Sequence, residues 1–143
     1  MIKLSIPVYF TNTFKTKPDK TFLVSLNWYR NANYHEQNKV KVHMSDLIAD
    51  QLNPFDVLEG KYQVIYTYHY KNPSSDMPNV TPMASKWLND TLQESGIVKN
   101  DNVQFLVEEI HRVGTKDTTN PRIEVTITEI NNDTCNETLK EIK

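Results

Sequence analysis

One run of residues constrains this chain more than any other. In Lys61–Tyr70, Tyr62, Val64, Tyr66, Tyr68 and Tyr70 fall on one side, and Gln63, Ile65, Thr67 and His69 fall on the other. Side chains alternate faces along a strand, so the run predicts a strand with one aromatic, buried face. The period then changes. Met83, Ala84, Trp87, Leu88, Thr91 and Leu92 share one helical stripe. Thr81 suits the N-cap of that helix, Pro82 its first residue and Gly96 its stop. Val103–Ile110 returns to an extended pattern, and strand, helix and strand in that order favour parallel pairing.

The rest of the chain supplies more of the same materials. Ile2–Phe10 alternates and reads as a half-buried strand; Pro7 removes a ladder donor and marks it as an edge strand. Thr11–Lys20 is polar and reads as a loop or hairpin tip, and Thr21–Leu26 as a short strand. From His35 to Leu52 a helical stripe of Val40, Met44, Leu47, Ile48 and Leu52 recurs, stopped by Asn53-Pro54. Arg122–Ile130 is a last strand after a polar loop, Gly114–Pro121. The expectation is an α/β (α+β) two-layer domain. A mixed β-sheet of about five strands carries two main helices on one face. Residues 1–130 form the domain, and 131–143 a polar, mobile tail.

Composition excludes several classes. A net charge of -2 does not suggest a strongly basic nucleic-acid binder, although binding follows the charge of one face and not the whole. The lone Cys135 allows no intrachain disulfide and fits a reducing cytoplasm. No apolar run approaches a membrane span and no signal-peptide pattern opens the chain, so a cytoplasmic protein without membrane contact is expected. Four histidines (His35, His43, His69, His111) lack metal-ligand spacing. There is no phosphate-cradling glycine loop, so no nucleotide cofactor is expected.

The chemistry concentrates between Pro73 and Asn102. Asp76 and Asn79 follow the Tyr-rich strand, Lys86 and Asp90 ride the helix, and Asp101 and Asn102 precede the next strand. Two loops flanking one helix are expected to bring Asp76 and Asp101 together at one edge of the sheet. Two carboxylates and an amide oxygen can hold Mg²⁺, with water and phosphate completing its shell, and such an ion activates water. Asp also favours turns, so both residues equally suit plain turn positions. Arg30, beside Trp28 and Tyr29, can grip a phosphate with an aromatic ring at hand for a base. Lys15, Lys17 and Lys20 form either a DNA-tracking arm or a solvated loop.

The order of these motifs resembles the RusA-like family of phage and prophage endonucleases that resolve Holliday junctions. That family carries an Asp-x-Asp-Asn motif after a strand, a helix bearing Lys, and an Asp-Asp pair before the next strand. The matching stretches here are Asp76-Met77-Pro78-Asn79, Lys86–Leu92 and Gly96–Val103. Ser25–Asn31 and Lys116–Glu124 add to the likeness, which spans residues 22–130. The resemblance implies a Mg²⁺-dependent endonuclease, with Mn²⁺ as an alternative ion, acting as a homodimer on four-way DNA junctions. It implies Asp76 and Asp101 as metal ligands, Asp76, Asp101 and Lys86 as catalytic residues, and Asn79 as a positioning residue at the DNA. With them go the DNA contacts read from the residues, Arg30, Lys15 and Lys17.

The departures are specific. The family's second motif Asp falls on Pro78, which offers no side-chain oxygen, and Asn100 replaces the first Asp of the later pair. Pro82 stands where the best-known members carry their Lys, with Lys86 one helical turn further on the same face. Glu108 and Asp90 are the candidates for a substitute acid. The other expectation is a weakened or inactive relative that binds DNA junctions or a host protein without cutting.

Overall fold

The structure, a computed structural model, describes residues 1–130, so the tail expected at 131–143 lies outside the described residues. Its first strand, β1 (Ile2–Pro7), alternates as expected and buries Ile2, Leu4 and Ile6. The extended run does not continue to Phe10 in the same sheet. After Pro7 and a bend at Val8, β2 (Tyr9–Asn12) pairs with β3 (Lys20–Leu23) as a separate antiparallel hairpin. Thr11 Oγ1 and Thr21 Oγ1 close that hairpin at 2.8 Å.

A short helix, α1 (Leu26–Asn31), follows where the sequence predicted only a continuation from a strand. Ser25 caps it, its hydroxyl accepting from the Trp28 N–H at 3.1 Å. The next helix, α2 (Tyr34–Asp50), is capped by Asn33, whose side chain accepts from the Glu36 N–H at 2.9 Å. Its stripe of Val40, Met44 and Ile48 is wholly buried.

The Tyr-rich run is β4 (Lys61–Tyr70), which buries Tyr62, Val64, Tyr66 and Tyr68 beneath the helices. It leads into α3 (Met77–Glu94), which starts five residues before the expected Pro82. Asp76 holds the N-cap position and Pro78 lies in the first turn, where a missing N–H costs nothing. Pro82 is therefore inside the helix, and Thr81 is not its cap: the Thr81 hydroxyl donates to the Met77 carbonyl at 3.2 Å. The earlier start also buries Val80 and Thr81.

At the other end Gly96, at φ 74°, terminates α3. Its N–H reaches the Gln93 carbonyl at 3.1 Å and the Ile97 N–H reaches Leu92 at 2.9 Å. That pair of bonds, with buried Leu92 and Ile97 beside it, is a Schellman closure.

Two strands complete the sheet: β5 (Leu106–Lys116) and β6 (Arg122–Ile130). The order is β1-β6-β4-β5, with β4 and β5 parallel and both pairings of β6 antiparallel. β1 is an edge strand, as Pro7 predicts, and β5 is the other edge. β5 runs on through Gly114, which the sequence placed in a loop, and the turn is confined to Asp117–Pro121. The fold is thus the expected two-layer α/β arrangement with a mixed sheet, carrying six strands when the hairpin is counted. Among the described residues no helix is long and apolar enough to cross a membrane.

Candidate nucleic-acid interface

The parallel crossover β4–α3–β5 decides where the acids stand. A parallel pair joined by a helix has its strand-to-helix loop at one end of the sheet and its helix-to-strand loop at the other. Asp76 belongs to the first loop, where Ser75 Oγ meets the Tyr68 hydroxyl at 2.7 Å. Asp101 belongs to the second, close enough to Tyr62 for its charge to act on that hydroxyl. Tyr62 and Tyr68 are about 20 Å apart along β4. Asp76 and Asp101 therefore do not meet within one chain, and the expectation that they share one ion is corrected. The same topology sets Lys86 apart from Asp76, about 15 Å along α3.

Pro78 adds no side-chain oxygen beside Asp76, and the Asn79 Oδ1 is already engaged, accepting from the Asn27 N–H at 3.1 Å. Among the described residues no group of three or more His, Cys, Asp or Glu is placed to hold a metal ion. Within one chain the donor set does not fit the two-carboxylate metal site implied by the resemblance. Neither substitute acid sits in the Asp76 loop: Asp90 lies in the last turns of α3, and Glu108 lies near the start of β5.

A different group does converge. Asp76, Asn79 and Arg30 line one open cleft of about 640 Å³, together with Tyr9, Asn27 and Asn72. Asn79 builds this cleft, because its bond to Asn27 ties the first turn of α3 to the first turn of α1. The Asp76 carboxylate makes no capping bond to its own helix.

The surface beyond the cleft is basic and aromatic. From Tyr9 to Asn31 the chain carries Lys15, Lys17, Lys20 and Arg30 against a single acid, Asp19, although the whole protein is acidic. Lys15 is exposed on the hairpin loop. Lys17, Lys20 and Lys39 line a second hollow with Phe14, His35 and one acid, Glu36. Several cations sit over rings: Lys17 Nζ at 4.2 Å from the centre of Phe14, Lys71 at 5.5 Å from Tyr9, and Lys86 at 4.6 Å from Tyr29. Lys86 Nζ also donates to the Tyr29 hydroxyl at 3.0 Å, so its place is beside α1 and not in the Asp76 cleft.

A polar seam under α3 was not foreseen. Glu109 of β5 accepts from Ser85 Oγ at 2.7 Å, Asn89 Nδ2 at 3.2 Å and the Tyr66 hydroxyl at 3.3 Å. His111 stacks on Tyr66, with ring centres 4.8 Å apart, and its Nδ1 meets Thr81 Oγ1 at 2.8 Å. Burial, then the Glu109 carboxylate, pushes the Tyr66 hydroxyl well above its ordinary pKa. Burial, then Asp101 and Glu109, pushes Tyr62 up to about 12. The sequence signals were present: Ser85 and Asn89 are one turn apart, and Glu109 and His111 share a strand face. With its donors drawn from α3 and β4, this seam fixes the helix on the sheet. A comparison with protein-family models returned no match, and no curated relative matched the chain.

Proposed function

We propose that this protein binds nucleic acid, and branched DNA in particular, through the face formed by the β2–β3 hairpin, α1 and the start of α3. The observation carrying this reading is the convergence of Arg30, Asn79 and Asp76 on one cleft, beside a lysine-bearing hairpin with accessible rings. Cations supply phosphate contacts, which give affinity and register without reading sequence. Rings under and beside those cations offer stacking faces to unpaired bases, of the kind found where strands exchange at a junction.

The test is anisotropy of a labelled four-way junction, with duplex and single strand alongside, across a salt series. Binding should weaken steeply with salt. Arg30→Ala should reduce affinity and flatten the log–log slope by about 0.9, the value for one phosphate on a duplex arm. Absence of binding at low salt, or binding indifferent to salt, refutes the reading.

A second reading, metal-dependent junction cleavage, is favoured by one observation: the Asp76 carboxylate is uncapped at the cleft that also holds Arg30. Asp76 would be the single carboxylate that this cleft offers to Mg²⁺ or Mn²⁺. Cleavage with Mg²⁺ or Mn²⁺ and none with EDTA, lost in Asp76→Asn while binding persists, supports it. Binding without cutting under every metal leaves the protein a binding module.

A further inference from the structure

We propose that the hollow between the β2–β3 hairpin and the start of α2 binds a phosphomonoester, the group that ends a phosphorylated nucleic-acid strand or a free nucleotide. Its strand-end form rests on the nucleic-acid reading and gives that reading a second, separate ligand site.

The hairpin stands between two hollows. Side chains alternate along its strands, so Tyr9 and Leu23 point to one face and Asn12 and Lys20 to the other. The first pair lines the Arg30 cleft. The second pair lines a hollow of about 540 Å³ whose other wall is the start of α2. That volume suits a ligand of nucleotide size.

Three lysines line this hollow, and each is held by a contact. Lys39 Nζ donates to Asn12 Oδ1 at 2.6 Å, and Asn12 is itself buried. Lys17 packs on Phe14, and Lys20 Nζ lies 5.7 Å from the centre of Phe22. His35, one helical turn before Lys39, adds an imidazole to the same wall. Among the described residues none of the three lysines has an ion-pair partner. The one acid of the lining, Glu36, is engaged within the chain: Oε1 accepts from Asn12 Nδ2 at 3.3 Å and Oε2 from Trp28 Nε1 at 3.2 Å. Asp19 lies between Pro18 and Lys20 in sequence but does not line the hollow. The lining therefore carries excess positive charge, on ammonium groups with hydrogens left to donate.

Charge selects the ligand. A phosphodiester within a strand carries a single negative charge. A phosphomonoester carries about 1.5 to 2 near neutral pH, with three strongly accepting oxygens. Three ammonium groups around one hollow match the monoester.

Anisotropy of the full chain with labelled single strands tests this. One strand ends in hydroxyls, one is phosphorylated at its start and one at its end. A hydroxyl-ended strand one nucleotide longer adds its charge as a diester. A phosphate at one end should tighten binding at least about tenfold, and the extra nucleotide should not. Lys17→Gln with Lys20→Gln should abolish the preference, whereas Arg30→Ala should weaken every strand and keep it. Both lysines are exposed, so folding should survive, checked by circular dichroism. Calorimetric titration with free deoxyadenosine monophosphate, against deoxyadenosine, separates the sources. Lysine-dependent binding of the free nucleotide shows that the monoester suffices, and a preference among strands without it assigns the hollow to strand ends. If no strand binds, the nucleic-acid reading fails, and lysine-dependent binding of the free nucleotide still upholds the hollow. The proposal is overturned if neither signal appears, if either survives the double lysine change, if the longer strand gains as much, or if Arg30→Ala removes the preference.

Discussion

Asn89 gives the sharpest test of how α3 is held on the sheet. It is 5% exposed on the buried stripe of the helix. Its Oδ1 accepts from the Tyr62 hydroxyl at 3.3 Å, and its Nδ2 donates to the Ser85 carbonyl at 2.9 Å and to Glu109 at 3.2 Å. Asn89→Leu is close to isosteric and removes these bonds, with a longer one from Nδ2 to Ser85 Oγ at 3.4 Å. Glu109 keeps Ser85 and Tyr66 as donors. Tyr62 is fully buried, so its hydroxyl loses its acceptor with no access to water. A stranded buried polar group costs about 1–3 kcal/mol, and a removed hydrogen bond about 1 kcal/mol. Asn89→Leu should therefore destabilise by about 2 kcal/mol and Tyr62→Phe by about 1 kcal/mol. In the double variant the stranded hydroxyl is gone, so its cost should fall below the sum of the two by about 1 kcal/mol or more. In urea, with a slope of about 2 kcal/mol/M, Asn89→Leu should lower the midpoint by about 1 M. Additivity of the two changes would refute the reasoning, because it would mean that Tyr62 and Asn89 do not satisfy each other.

Three further outcomes follow from the same contacts. A Cβ on Gly114 would lie 2.6 Å from His69 Cε1 and 2.9 Å from Thr67 Cγ2, and His69 is itself held by the Thr115 N–H at 3.1 Å. Gly114→Ala should cost about 1–3 kcal/mol by overpacking, read from the same denaturation curves. Ser25→Ala should cost about 1 kcal/mol by uncapping α1, with the loss of helix start measured by amide exchange at Trp28. Tyr62, Tyr66 and Tyr68 all have hydroxyl pKa values raised by burial, Tyr62 to about 12. The folded state thus keeps protons that the unfolded chain releases near pH 10. Their stabilisation is complete below about pH 10 and is lost as pH rises through their folded-state values, which for Tyr62 is about 12. Tyrosinate absorbance from these three should appear together with the loss of folded circular dichroism, and its appearance in a still-folded protein would contradict their burial.

The sheet was the most legible part of the chain, because a period of two needs only a few residues to declare itself. β4 followed the alternation of its tyrosines, and Pro7 marked β1 as an edge. Helix α2 followed its stripe, and Val40, Met44 and Ile48 are buried. Helix α1 escaped because six residues show no helical period; Ser25, in a position to cap, was its only signal. The start of α3 was misplaced because Pro82 suits a first turn, and so does Pro78. The earlier one prevails, since starting there buries Val80 and Thr81.

The candidate site fared differently. Arg30 joins Asp76 and Asn79 in one cleft although it lies far from them in sequence, and the bond from Asn27 to Asn79 is a tertiary contact that no local pattern encodes. The pairing of Asp76 with Asp101 failed for a reason the sequence already contained. A parallel strand–helix–strand unit places its two loops at opposite ends, and parallel pairing was itself expected.

The most direct test of the proposed interface compares charge reversals on two faces of the protein. Arg30→Glu with Lys17→Glu alters the basic face, while Lys3→Glu on β1 alters the charge elsewhere. Junction affinity measured by anisotropy should fall at least about tenfold in the first variant, with a flatter salt dependence, and should stay within about twofold of wild type in the second. Equal losses in both variants, or no loss in the first, would contradict a nucleic-acid interface at the hairpin and the Arg30 cleft.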